Sequence, residues 1–200
     1  MTLPEGRALT SRVGPRQRWA NLLVLILGLT GIVISLALRE QVLGTTVRYD
    51  NLQAGISAAY PPGWLLEEAG GDYVFRVRDL AAPGFATTLQ VAVQPFAGES
   101  AARNIFDLLS LQRSQSLAAY AVTSVEPYVL PDGSATSAMR YSFVHTGDNP
   151  FLRETPVIVD GLDVLLVKRE QALVITYRAR AEILERERPH LRRFLQNLDF

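Results

Sequence analysis

VITYRARAEILERERPHLRRFLQNLDF, residues 174–200, changes its hydrophobic period once, and that change points to the fold class. Up to Arg178 the pattern has period two: Leu173, Ile175 and Tyr177 alternate with Val174, Thr176 and Arg178, as in a strand with two different faces. Beyond it, Leu191, Phe194, Leu195 and Leu198 follow the 3, 4, 7 spacing of a helix, with Pro189 suited to its first turn. Ala181 to Arg188 reads as an upstream helical turn joined through a kink, with Glu182 and Arg186 as an i, i+4 surface pair. A strand is thus followed by a helix that can lie on its sheet.

Working back toward the N-terminus, strands dominate. Ser134–His145 and Val122–Leu130 read as strands joined by a Pro131-Asp132-Gly133 turn. Residues 156–167 are strand-like but contain Asp160-Gly161, which fits either a tight hairpin or a bulge. Thr146–Thr155 reads as a loop, and Arg169-Glu170-Gln171 as the turn into the last strand. Ser100 can cap a helix from Ala101 to about Tyr120, whose apolar patch is Ile105, Phe106, Leu108 and Leu109. Leu89, Val91 and Val93 oppose Gln90 and Gln94, and Tyr73, Phe75 and Val77 oppose Arg76 and Arg78. Gly70-Gly71-Asp72 reads as a turn. ISAAYPPGW, residues 56–64, reads as a strand ended by its prolines, with Trp64 turned back to bury on the order of 200 Å². The order favours an α+β fold, an antiparallel sheet with helices packed on it.

WANLLVLILGLTGIVISLAL, residues 19–38, has no charged residue. At about 1.5 Å per residue it would span roughly 30 Å, the thickness of the hydrocarbon core. Arg7, Arg12, Arg16 and Arg18 precede it, whereas Arg39 and Arg48 follow it, a bias that keeps the N-terminus in the cytoplasm. The expected organisation is a cytoplasmic tail 1–18, a transmembrane helix 19–38, a polar linker 39–53 and an extracytoplasmic domain 54–200. A signal peptide cut after Ser35-Leu36-Ala37 is the alternative, but the apolar run exceeds the roughly 7–15 residues of a signal core. Gly31 and Ser35 form a small-xxx-small pair, which also arises by chance in many spans.

From Thr45 onward the chain carries 15 basic and 18 acidic residues, a net of −3, which argues against a phosphate-neutralising nucleic-acid surface. Without cysteine there is no disulfide, thiolate metal site, thiol nucleophile or lipidated cysteine. His145 continues the Met139, Tyr141, Phe143 face and reads as a residue at the core's rim; His190, among Arg188, Arg192 and Arg193, reads as a solvated helix residue. Asp148, Asp160 and Asp163 match no calcium-loop spacing, and turn chemistry explains Asp148 and Asp160 equally well. Glu67-Glu68 reads as solvent-facing. No phosphate-binding loop, dinucleotide fingerprint or nucleophile elbow occurs. No catalytic, cofactor-binding or metal residue is assigned, and no cofactor is expected.

SAAYPPGW, residues 57–64, resembles the strand-Pro-Gly-Trp opening of the PsbP-like family, and residues 174–200 resemble its closing strand, helix and apolar-Asp-Phe ending. The resemblance implies an α/β/α sandwich around an antiparallel sheet. It also implies roles chiefly in binding and assembly, since the family includes extrinsic photosystem proteins, a nuclear-import factor that binds a small GTPase, and many bacterial lipoproteins. This chain departs from the bacterial pattern in having a membrane helix where those proteins carry a lipidated cysteine. Neither segment brings a functional residue with it. The expected function is a membrane-anchored, non-enzymatic interaction or assembly module with a protein partner, outside the bacterial cytoplasmic membrane. A carrier or sensor of a small apolar or lipid ligand is the alternative, and a hydrolase with dispersed carboxylates comes after it.

Overall fold

The computed structural model describes residues 15–68, 70–95, 101–147, 155–168 and 171–200. Two compact units divide at Thr45 and Thr46. The first contains helix α1, Pro15–Gly44. Its large apolar side chains from Trp19 to Leu36 are exposed on every side, including Leu25, Ile26, Leu29 and Val33. Thr30 donates its hydroxyl to the Ile26 carbonyl at 2.8 Å, the back-bond by which a helix hides a polar side chain. Among the described residues no helix is long and apolar enough to cross a membrane. The Ser100 cap, Asp148 and the rest of 148–154 lie outside the described residues.

The second unit follows the order β1 (Val47–Asn51), β2 (Ile56–Tyr60), β3 (Leu65–Glu68), β4 (Phe75–Asp79), β5 (Thr87–Pro95), α2 (Ala101–Ser116), β6 (Ala118–Val129), β7 (Ala135–His145), β8 (Val157–Lys168), β9 (Gln171–Arg180) and α3 (Leu184–Gln196). β1 and β2 form a two-stranded antiparallel sheet, and the others one antiparallel sheet ordered β3-β4-β5-β9-β8-β7-β6. β1 occupies part of the stretch expected to be linker, because Tyr49 is buried and packs at a tilt against Phe75 with 4.5 Å between ring centroids. β9 sits at the middle of the large sheet, so 172–177 are all buried rather than alternating.

The two faces of that sheet are packed by different elements. On one face Phe75, Val77, Leu89, Leu162, Val164, Ile175 and Tyr177 meet Leu184, Leu191, Phe194 and Leu195 of α3, together with Ile56 and Ala58 of β2. On the other, Met139, Tyr141, Phe143, Leu165 and Val174 meet Ile105 and Phe106 of α2. A fully buried side chain of this size contributes about 1.5–3 kcal/mol, so both helices are fixed to the sheet by their apolar faces. Leu108 lies outside that face and is exposed.

Three sequence expectations change. Asp160-Gly161 is neither hairpin nor bulge: β8 pairs without a break with both β7 and β9 through these residues. A Cβ on Gly161 would collide with Cζ of Tyr141, so the ring requires glycine there, and the Ser142 hydroxyl donates to Asp160 at 2.7 Å. α2 ends at Ser116, short of Tyr120, and β6 starts at Ala118 through Ala119 in the left-handed region (φ 52°) and a register shift. α3 is one helix with Pro189 inside it, since the buried Leu184 holds the first turn on the core. The missing proline N–H leaves only the Glu185 carbonyl without its helical donor. The expected Pro131-Asp132-Gly133 turn is present, closed by the Gly133 N–H on Leu130 O at 2.9 Å and by Asp132 accepting from the Ser134 N–H and hydroxyl.

Candidate functional site

Charge is concentrated beneath α2. Arg113 falls on the helix stripe that also carries Phe106 and Leu109, seven and four positions before it, and is buried with that stripe. Asp163 falls on the inward face of β8 and is 0% exposed. Each is a charge in an apolar setting, which is tolerated only when paired. The Arg113 guanidinium forks onto both carboxylate oxygens of Asp163, with Nη2 to Oδ1 at 3.0 Å, and Nη2 also donates to Thr176 Oγ1 at 3.2 Å. Thr176 returns its hydroxyl proton to Asp163 at 2.8 Å. The same guanidinium stacks 4.4 Å over the ring of Tyr141, whose hydroxyl accepts from Nε of Arg178 at 2.9 Å.

Electrostatics fix the protonation of Arg113 and Tyr141. Burial opposes the charge on Arg113, but Asp163, Tyr141 and Tyr120 together outweigh it and hold the guanidinium firmly protonated. Burial, with Asp163 nearby, pushes the Tyr141 phenol up to about 12, so it stays neutral at ordinary pH.

Strand register extends the polar group across the sheet. Glu67, Arg76, Gln90, Thr176 and Asp163 are successive neighbours on β3, β4, β5, β9 and β8, and Arg78, Thr88, Arg178 and Gly161 form the next row. Glu67 is therefore not solvent-facing as expected; it is held between Arg76 and Arg78, with Arg78 Nε 3.0 Å from its Oε1. Beside α2 these rows open into a groove of about 700 Å³, with Gln90, Thr176 and Arg178 on its floor and Gln112 and Tyr73 on its walls.

The two imidazoles lie elsewhere. His190 packs on Trp64 with 5.8 Å between centroids, rather than standing free among the arginines, and burial lowers its pKa. His145 stands at the core's rim as expected, edge-on to Phe85 at 5.1 Å. Asp160 and Asp163 share a strand, but each is engaged separately, by Ser142 and by Arg113. Glu182 precedes α3 and pairs with Arg180 at 2.7 Å in place of Arg186.

Sequence reasoning assigned no role to Arg113, Tyr141, Thr176 or Arg178. The available signal was the opposite charges on two apolar stripes, Arg113 on α2 and Asp163 on β8.

No family model matches the sequence, and no curated protein matches it. Among solved structures, the cyanobacterial PsbP (CyanoP) of Synechocystis superposes with a TM-score of 0.56 at 15% identity, over 78% of this chain and 92% of that one. LpqN of Mycobacterium tuberculosis, described as involved in cell envelope biogenesis, gives 0.48 at 11% identity over 77% and 89%. The Ran-binding protein of Saccharomyces cerevisiae gives 0.46 at 10% identity over 78% and 95%. An antiparallel sheet with a helix on each face, superposing on a PsbP structure over most of both chains, establishes that this chain shares the PsbP fold.

Proposed function

We propose that the chain is a non-enzymatic interaction or assembly module, held by its N-terminal helix at the outer face of a bacterial cytoplasmic membrane. The observation that carries this reading is α1, whose large apolar side chains are exposed all round and have no polar stripe to turn to water. Its sequence run, 19–38, has the length a span needs, and the arginine bias before it directs the domain outward.

The domain's own chemistry favours binding over catalysis. Asp163, Glu67 and Asp160 are occupied by Arg113, by Arg76 with Arg78, and by Ser142, while the imidazoles lie against aromatic rings. Both faces of the large sheet are filled by packed side chains, which disfavours an apolar ligand enclosed in the sandwich.

Protease added to spheroplasts should digest the domain while the mature chain retains its N-terminal helix, and affinity capture from gently solubilised membranes should return a stoichiometric protein partner. A protected domain would overturn the orientation, and a mature chain starting near Leu38 would overturn the tether. Capture of the bare chain alone would remove the assembly role.

A further inference from the structure

The α2-side face of the sheet holds more positive charge than its own carboxylates offset. Arg76, Arg78, Arg113 and Arg178 stand on or against it, in a unit whose net charge is −3 from Thr45 onward. Glu67 is shared by Arg76 and Arg78, and Asp163 is taken by Arg113. Exposed Asp72 at the groove's edge supplies a third carboxylate, which leaves one positive charge over. That charge centres on Arg178. It is half-buried, its Nε is committed to the neutral hydroxyl of Tyr141, and among the described residues its terminal amino groups meet no carboxylate. Its guanidinium lies over the rings of Tyr141 and Phe143, whose centroids are 6.0 and 5.9 Å from the guanidinium carbon. A fork donor fixed at one nitrogen and open at the other two suits two oxygens of one anion.

We propose that this groove is a binding site for an oxyanion, the phosphate or carboxylate of a polar ligand, gripped by Arg178 and flanked by the amide of Gln90. The groove, at about 700 Å³, admits a ligand with a polar body as well as its charged end. The proposal does not depend on the membrane tether, because every group in it belongs to the domain.

The test titrates the full chain, in zwitterionic detergent, with inorganic phosphate, citrate and glycerol 3-phosphate by calorimetry. Saturable binding of at least one is expected, weakened at least tenfold in Arg178→Gln, less in Arg178→Lys, and severalfold in Gln90→Ala, with a steady loss as salt rises. Arg188→Gln, on α3 across the sheet, should bind as the parent does. Repeating the titration in nanodiscs of phosphatidylcholine with and without phosphatidylglycerol separates the sources. A tenfold weakening by the anionic lipid identifies a headgroup as occupant, and an unchanged affinity identifies a free anion; either supports the site. No saturable binding to any probe would overturn it, as would equal affinity in folded Arg178→Gln and Gln90→Ala.

Discussion

The ring of Tyr141 occupies the space that a side chain on Gly161 would need, so that a Cβ built at 161 falls onto Cζ. The two residues are direct partners across β7 and β8, and Tyr141 is almost wholly buried beneath Arg113. Gly161→Ala therefore cannot be absorbed by a swing of the ring into solvent. Chemical denaturation of this variant should show a loss near the upper end of the roughly 1–3 kcal/mol typical of overpacking. Tyr141→Ala/Gly161→Ala should add less than the sum of the two single losses, since the clash is then gone.

Breaking the Arg113–Asp163 pair should cost more than removing it. Asp163→Asn leaves a buried guanidinium without its counter-charge and should lower stability by about 3–5 kcal/mol. Arg113→Met/Asp163→Leu leaves neither charge stranded and should be markedly less destabilised. Equal losses in the two would show that the pair's packing, rather than its charge, is what the domain needs.

What the sequence revealed and what it concealed divide along physical lines. The period-two strands and the 3, 4, 7 spacing of Leu191, Phe194 and Leu195 were legible because burial on one face imprints a period. The two segments on which the family resemblance rests, 57–64 and 174–200, meet in space: Ser57 and Asp199 exchange backbone hydrogen bonds at 2.8 Å in both directions. Their resemblance was therefore to a packed contact of the fold. Asp160-Gly161 misled because glycine permits a turn and equally permits a ring to lie on a strand; only the partner strand decides. β1 was hidden for a similar reason, its burial resting on Tyr49 alone among exposed neighbours. The candidate site was the least legible part, since Arg113 and Asp163 are fifty residues apart and nothing local announces that they pair.

The contact of His190 with Trp64 makes stability depend on pH. Burial lowers the pKa of His190, so the folded state favours the neutral ring. Below the ordinary value near 6.5 the unfolded chain binds the proton first, and stability falls as pH falls from there through the lower folded pKa. Above that window both states are neutral and the contribution is complete. Denaturant midpoints measured from pH 8 to 5 should decline in the parent and decline less in His190→Gln. Parallel curves would mean that His190 titrates as a free side chain.

Trp64 tests whether the opening segment is fixed to the closing helix. It is half-buried, packed against the α3-side core and on His190, rather than wholly enclosed as its sequence setting suggested. Full burial of a tryptophan makes truncation to alanine cost about 3–5 kcal/mol, so a ring covered on one side should cost roughly 2. The chain has two tryptophans, Trp19 and Trp64, and a Trp19→Phe background isolates the second. In that background the native emission should lie between those of a buried and a free indole and move red on unfolding. Trp64→Ala should lower stability by about the stated amount without altering the membrane insertion proposed for α1, which belongs to the other unit. A loss below about 0.5 kcal/mol, within the range of ordinary surface changes, with a red native spectrum, would detach Trp64 from α3. The Ser57–Asp199 bridge and the packing of Ile56 and Ala58 on α3 would then join the two ends of the domain.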